Sequence, residues 1–255
     1  MFANRVIRVS GAYLRFICNL DLPLAQLRGL GPDLEAHDEQ LPILDGSTET
    51  DAEFLETFFR RNAMFILGVE TPIINSPICP EMIGSSKQAP TSLLNGVRAP
   101  NPRVCLARTH TSYLYDLMTG VDRFHILIFA SDVQGPVRSR LSEFSASAMR
   151  PGGFWHRFGR RERFNILLVL KTLPHEAEEL LVGDEFSFLR SESTIVYDDR
   201  APDEDAHYWY GINHARGAAL VVRPDLVVGM STWPEDTESI TEYFSAFLID
   251  VGHTD

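Results

Sequence analysis

The side chains that could do chemistry in this chain fall into a few clusters. Eight histidines, His37, His110, His125, His156, His175, His207, His214 and His253, are spread from end to end. None stands in an H-x-x-x-H or H-E-x-x-H relation, the spacing that sets two imidazoles on one helix face, so no metal site is expected. Asp198-Asp199 and Asp203-Glu204-Asp205 form a carboxylate-rich stretch. Without a Gly-centred calcium loop it reads as a solvated acidic turn that starts a helix, not as a paired acid–base or Ca²⁺ site. Tyr208, Trp209 and Tyr210 follow directly and read as core anchors at a helix end, ahead of the lining of a small-molecule pocket. Arg138, Arg140, Arg150, Arg157, Arg160, Arg161 and Arg163, against Glu143 and Glu162, read as an exposed basic loop ahead of an anion or partner contact. No G-x-S-x-G elbow supports a Ser-His-Asp site. His110, Tyr113, Tyr115 and Asp116 are the candidates for flavin-free acid–base chemistry, on proximity in the chain alone. Cys18, Cys79 and Cys105 are odd in number and widely spaced, with no C-x-x-C pair, and read as ordinary reduced thiols.

These groups need a scaffold, and the composition supplies one. A chain of 255 residues with 44% hydrophobic content can bury a sizeable core. Its formal net charge of −12 argues against a broad nucleic-acid surface, which needs clustered Lys and Arg. The opening "MFANRVIRVSGAYLRF" holds Arg5, Arg8 and Arg15 with no unbroken apolar block, so neither a signal peptide nor a membrane span is expected, and the protein is read as cytoplasmic.

Val6, Val9, Tyr13, Phe16, Ile17 and Leu20 line one face of an expected helix over about 1–20. Breakers fill 21–50, and Phe54, Leu55, Phe58 and Phe59 give a short amphipathic helix before an apolar stretch at 63–69. Residues 71–103 hold six prolines and read as an extended arm. A second unit begins near Arg103, dividing the chain into a helical and extended segment, 1–102, and a domain, 103–255. In that domain "RFHILIFAS" (123–131) is a buried strand, "GPVRSRLSEFSASA" a helix, "RFNILLVLK" (163–171) a second strand and "PHEAEELL" (174–181) a short acidic helix. "STIVYD" (193–198), apolar runs at 218–222 and 226–230, and a helix over about 236–248 with Ile240, Tyr243, Phe244 and Phe247 inside complete it. Arg223-Pro224-Asp225 is the hairpin corner and Gly229 a bulge or close-approach residue. Strand, helix, strand, helix, hairpin, helix is the order of a thioredoxin-like α/β fold, a mixed sheet with flanking helices. The loop after its first strand reads "ASDVQGP", without the cysteine that thiol chemistry needs.

"RFHILIFASD", "YGINHARGAALVVRPDLVVG" and "ESITEYFSAFL", in that order, resemble the C-terminal thioredoxin-like dimerisation region of phenol hydroxylase-type FAD-dependent aromatic monooxygenases. "FLETFFRRNAMFILGVETP" and "LLNGVRAPNPRV" are similar to the segment that leads from the substrate domain of those enzymes into the C-terminal one. The resemblance implies a parent activity of the FAD- and NAD(P)H-dependent phenol 2-monooxygenase type and a part in forming a dimer. The family holds FAD through an N-terminal Rossmann unit with G-x-G-x-x-G and a later Gly-Asp motif. No G-x-G-x-x-G occurs here, and Gly183-Asp184 lies inside the thioredoxin-like unit, so no Rossmann flavin domain and no FAD bound by this chain alone are expected. The chain is therefore expected to correspond to the last third of such a hydroxylase, truncated or stand-alone. Two roles stay open: an association module forming a homodimer, or a derivative that works with a flavin-bearing partner chain or itself binds an aromatic small molecule.

Overall fold

The computed structural model describes residues 76–80, 89–107, 110–199 and 204–251. The expected helices over 1–20 and 51–62, the apolar stretch 63–69 and Cys18 lie outside them.

One mixed sheet of seven strands organises the described residues: β1 (Arg103–Ala107), β2 (His110–Tyr113), β3 (Phe124–Phe129), β4 (Phe164–Leu170), β5 (Ser193–Tyr197), β6 (Ala218–Val222) and β7 (Val228–Thr232). Its spatial order is β2-β1-β5-β4-β3-β6-β7. β3, β4 and β5 run parallel, in the registers Phe124↔Phe164 and Ile166↔Ser193. β6 is antiparallel to β3, and β7 to β6. The central strands FHILIF and FNILLVL are apolar apart from the paired His125 and Asn165 because both faces of the sheet are covered. Alternation along them sends Ile126, Ile128, Ile166 and Leu168 to one core and Leu127, Phe129, Leu167 and Val169 to the other.

The helices are α1 (Leu114–Leu117), α2 (Pro136–Ala148), α3 (Phe154–Arg157), α4 (Arg160–Arg163), α5 (Pro174–Leu180), α6 (Ser187–Glu192), α7 (Ala206–Trp209) and α8 (Thr237–Ser245). α2 starts on Pro136 at its first turn and buries Val137, Leu141, Phe144 and Ala148, a spacing that makes one continuous stripe. α8 buries Ile240, Tyr243 and Phe244, and Phe244 meets Phe164 with ring centroids 4.8 Å apart. β3-α2-β4, then the β6–β7 hairpin and α8, is the thioredoxin-like core expected from the sequence.

The hairpin shows how closely local chemistry governs the register. β7 begins at Val228, two residues later than the apolar run suggests, because Leu226 takes a left-handed φ of 64° after the Arg223-Pro224-Asp225 corner. Val221 pairs with Met230 and Val222 with Val228, which leaves Gly229 as the extra residue of a bulge. A Cβ there would collide with the Tyr243 hydroxyl, so Gly229 is a close-approach residue as well. β1 and β2 form an antiparallel extension at the other edge that the sequence reading did not resolve into strands. Residues 96–99 run along the start of β7, through Gly96 N–H to Val228 O (2.7 Å), Val228 N–H to Val97 O (2.8 Å) and Ala99 N–H to Leu226 O (2.9 Å).

Candidate functional site

The carboxyl ends of parallel strands are where a sheet of this kind collects polar groups, because the strands stop there and the loops turn away. Three backbone hydrogen bonds tie those ends together here: Ala130 N–H to Val169 O (3.0 Å), Lys171 N–H to Ser131 O (2.6 Å) and Asp198 N–H to Leu170 O (2.7 Å). Ser131, Lys171 and Asp198 are thereby brought side by side, each one or two residues beyond its strand.

The loop after β3 is bent sharply. Ser131 and Val133 adopt left-handed φ values of 47° and 58°. Such backbone costs a non-glycine residue about 1–2 kcal/mol and persists only where neighbours enforce it. The neighbour is His207. Its Nε2 accepts the Ser131 backbone N–H at 3.2 Å, and its Nδ1 lies 2.6 Å from Asp198 Oδ2. Since Nε2 accepts, the ring is neutral with its proton on Nδ1, donated to Asp198. Asp198 also accepts the backbone N–H groups of Ala206 and His207, both at 2.9 Å. Burial opposes its ionisation. The hydrogen bonds from the His207 ring and from the two backbone groups outweigh it and hold the carboxyl below its ordinary value.

A second tier surrounds this pair. Phe129 packs edge-on against His207 at 5.1 Å, and His214 stacks on its other side at 5.2 Å. Burial, then the nearby His207 and Lys171, push the His214 pKa down. Asp205 caps α7 by accepting the Tyr208 N–H at 2.9 Å and pairs with Lys171 Nζ through its other oxygen. Asp198, Asp205 and His207 are the one trio among the described residues whose ligand atoms could surround a cation. All those atoms already accept or donate within the protein, and the Lys171 ammonium supplies the positive charge at the Asp205 carboxylate.

The arrangement contains an acid, an imidazole and a serine, and it is sealed. His207 is 0%, Asp198 3% and Ser131 5% exposed. The imidazole nitrogen that could serve as a base is occupied by a backbone donor, so the geometry holds a loop instead of moving a proton to solvent. The reading of Asp198 as part of a solvated turn is corrected here: it is a buried acceptor of three hydrogen bonds. The available signal was its position immediately after an apolar strand, with nearby backbone N–H groups at the start of a helix to satisfy.

Tyr208 to Tyr210 divide. Tyr210 is fully buried, donating to Pro100 O at 2.7 Å, but Tyr208 is 78% and Trp209 40% exposed, so the expectation of core anchors holds for one of the three. Successive residues of a helix turn by about 100°, so Tyr210 follows the buried Ala206 and His207 onto the inner side while Tyr208 and Trp209 turn outward. The basic stretch is partly neutralised by acids from distant segments, in the pairs Arg138–Glu185, Arg140–Glu235, Arg157–Asp250 and Arg161–Glu192.

His110, Tyr113, Tyr115 and Asp116 fall at the exposed edge strand β2 and the turn into α1. Asp116 Oδ2 accepts the Tyr113 N–H and the Ser112 hydroxyl, both at 3.1 Å, as the cap of α1. Tyr115 is held apart from them, with its N–H on Asn101 Oδ1 at 2.8 Å and its hydroxyl on Ala99 O. No helix among the described residues is long and apolar enough to cross a membrane.

Residues 75–252 match the family model described as phenol hydroxylase, C-terminal dimerisation domain. An FAD-dependent monooxygenase of Aspergillus terreus (strain NIH 2624 / FGSC A1156) is 62% identical over 254 residues, covering 100% of this chain and 36% of that protein. A second FAD-dependent monooxygenase of the same fungus is 25% identical over 228 residues, covering 82% of this chain and again 36% of the relative. The chain thus spans about a third of the length of the curated relatives it matches. Among solved structures, the thioredoxin domain of a thiol-disulfide oxidoreductase from Bacteroides vulgatus overlays with a TM-score of 0.45 at 15% identity, covering 60% of this chain and 99% of that one. A thiol:disulfide interchange protein from Bacteroides sp. overlays at 0.44 and 14%, covering 62% of this chain and 91% of the other. The assignment of the fold rests on the strand order and crossover described above.

Proposed function

The chain belongs to the phenol hydroxylase C-terminal dimerisation domain family, and from that premise we propose that it acts mainly as an association module and performs no hydroxylation alone. The observation that carries this reading is the state of the loop after β3. That loop is where a thioredoxin-like fold keeps its nucleophile, yet here it reads ASDVQGP and is fastened from inside by His207 and Asp198. A thiolate is indispensable to thiol–disulfide exchange, so the scaffold is retained without that chemistry. In this reading the protein works in the cytoplasm as a homodimer.

A second reading has one observation in its favour: both relatives are FAD-dependent monooxygenases, and this chain corresponds to 36% of each. In that reading a flavin-bearing partner chain supplies FAD and the aromatic substrate site, and this chain docks onto it. The sequence holds no G-x-G-x-x-G to cradle a pyrophosphate, so the chain by itself does not retain FAD. Size-exclusion chromatography with light scattering, run after incubation with FAD, tests both statements. The expected result is a peak at twice the 28.7 kDa chain mass with no flavin absorbance near about 450 nm. A peak at the chain mass contradicts the association reading, and flavin travelling with the peak contradicts the absence of a cofactor site.

A further inference from the structure

Resting on the association reading, we propose that the aromatic surface formed by Tyr208 and Trp209, with Leu94 and Leu173 at its margins, is the face through which two copies of this chain meet. The four side chains are 78%, 40%, 59% and 51% exposed. Backbone contacts bring their segments to one end of the sheet. Ser92 N–H binds Gly211 O at 3.0 Å, and the Thr91 hydroxyl reaches Tyr210 O, which sets the segment of Leu94 against the end of α7. Lys171 pairs with the Asp205 cap of the same helix, which sets the segment of Leu173 on its other flank.

Folding does not account for the outward part of these aromatics. Ala206, His207 and Tyr210 fill the core from this turn, and the outer side of α7 would be served as well by polar residues. Tyr and Trp pointing into solvent are the residues that interfaces enrich, since each offers a large rigid surface at small entropic cost. The exposed areas of the four side chains sum to roughly 500 Å², against the about 800 Å² that each partner buries in a standard interface.

Electrostatics points to a second copy as the occupant. Two chains of net charge −12 repel over most of their surface. On the α7 side of this patch, however, the acids are matched, Asp205 by Lys171 and Glu204 by Arg103, while the acids of α5 follow Leu173 at the far margin. A twofold contact sets a patch on its own copy, so the matched acids on the α7 side lower the repulsion that two such chains would meet there.

The test compares the full chain with Tyr208→Glu/Trp209→Glu, with Tyr208→Cys, and with Val121→Glu as control. Val121 is 96% exposed and lies before β3, at the end of that strand remote from α7. Sedimentation should show a wild-type dimer, a dissociation constant weakened by about 100-fold or more in the double variant, and no change in the control. The thermal midpoint of the Val121→Glu control should match the wild type, and that of the double variant should fall only by the packing that the covered part of Trp209 supplies. Under mild oxidation Tyr208→Cys should form a covalent dimer through the introduced thiols of the two copies, a readout that survives if the double variant folds poorly. A dimeric wild type whose double variant remains dimeric, with no trapping at position 208, overturns this surface and leaves the association reading intact. A monomeric wild type overturns both. Loss in the double variant of binding to an FAD-dependent monooxygenase chain, with the dimer unchanged, assigns the patch to a different partner and overturns the proposal.

Discussion

Asp198 holds three donors in a space closed to water, so its removal should cost more than any one of them is worth. Asp198→Ala strands the His207 ring proton and the N–H groups of Ala206 and His207, and should lower stability by about 3–5 kcal/mol. Asp198→Asn keeps one carbonyl oxygen and should lose about half of that; urea denaturation of the two variants measures the difference. His125 gives a separate, pH-dependent prediction. Burial, assisted by Arg123, pushes its pKa down to about 4, and its Nε2 has no partner among the described residues. The folded state therefore prefers the neutral ring. Stability from this residue is complete above pH 6.5, where the unfolded ring is also neutral, and is lost as pH falls toward 4, by up to about 3 kcal/mol. His125→Leu should flatten the fall in unfolding midpoint between pH 6.5 and 4. The further decline below the ordinary aspartate range should persist, because hydrogen bonds hold Asp198 and Asp236 low against the opposing effect of burial. Neither His125 nor His207 was distinguishable in the sequence from the other histidines. An isolated imidazole carries no periodic signal, and besides Asp198, nine residues before His207, the partners of the two rings lie 40 and 76 residues away.

The elements were far more legible than the side-chain chemistry. β3, β4 and β6 declared themselves because a strand covered on both faces is apolar along most of its length, and α2 and α8 because each buries a single stripe. β1 and β2 stayed hidden for the complementary reason: β2, His110–Tyr113, is a short exposed edge whose HTSY has no apolar alternation. Positive-φ positions set the limits of the hairpin. Gly217 precedes β6 at φ 70°, where an added Cβ would stand 2.5 Å from the Phe129 carbonyl oxygen. Gly217→Ala should therefore cost about 2–4 kcal/mol, from the left-handed backbone and the displaced strand end together. Thermal unfolding checks this, and an unchanged midpoint would mean that the end of β3 yields to the methyl group.

At the level of the molecule, a thioredoxin-like scaffold has had the loop of its usual chemistry closed by an Asp–His pair, while an aromatic face beside that loop opens to solvent. The family and the missing flavin motif were readable from the order of motifs over some two hundred residues. The aromatic face was not, because Tyr208, Trp209 and Tyr210 are adjacent in sequence and only the path of α7 decides which of them turns outward. If two acidic chains associate through apolar surface with matched ions on its α7 side, added salt should weaken their mutual repulsion and leave the contact intact. The most direct measurement is sedimentation equilibrium of the unmodified chain at micromolar concentrations, in low salt and in about 1 M NaCl. The expected result is twice the 28.7 kDa chain mass, with association as strong or stronger at high salt. A single species at the chain mass under both conditions would contradict the association reading.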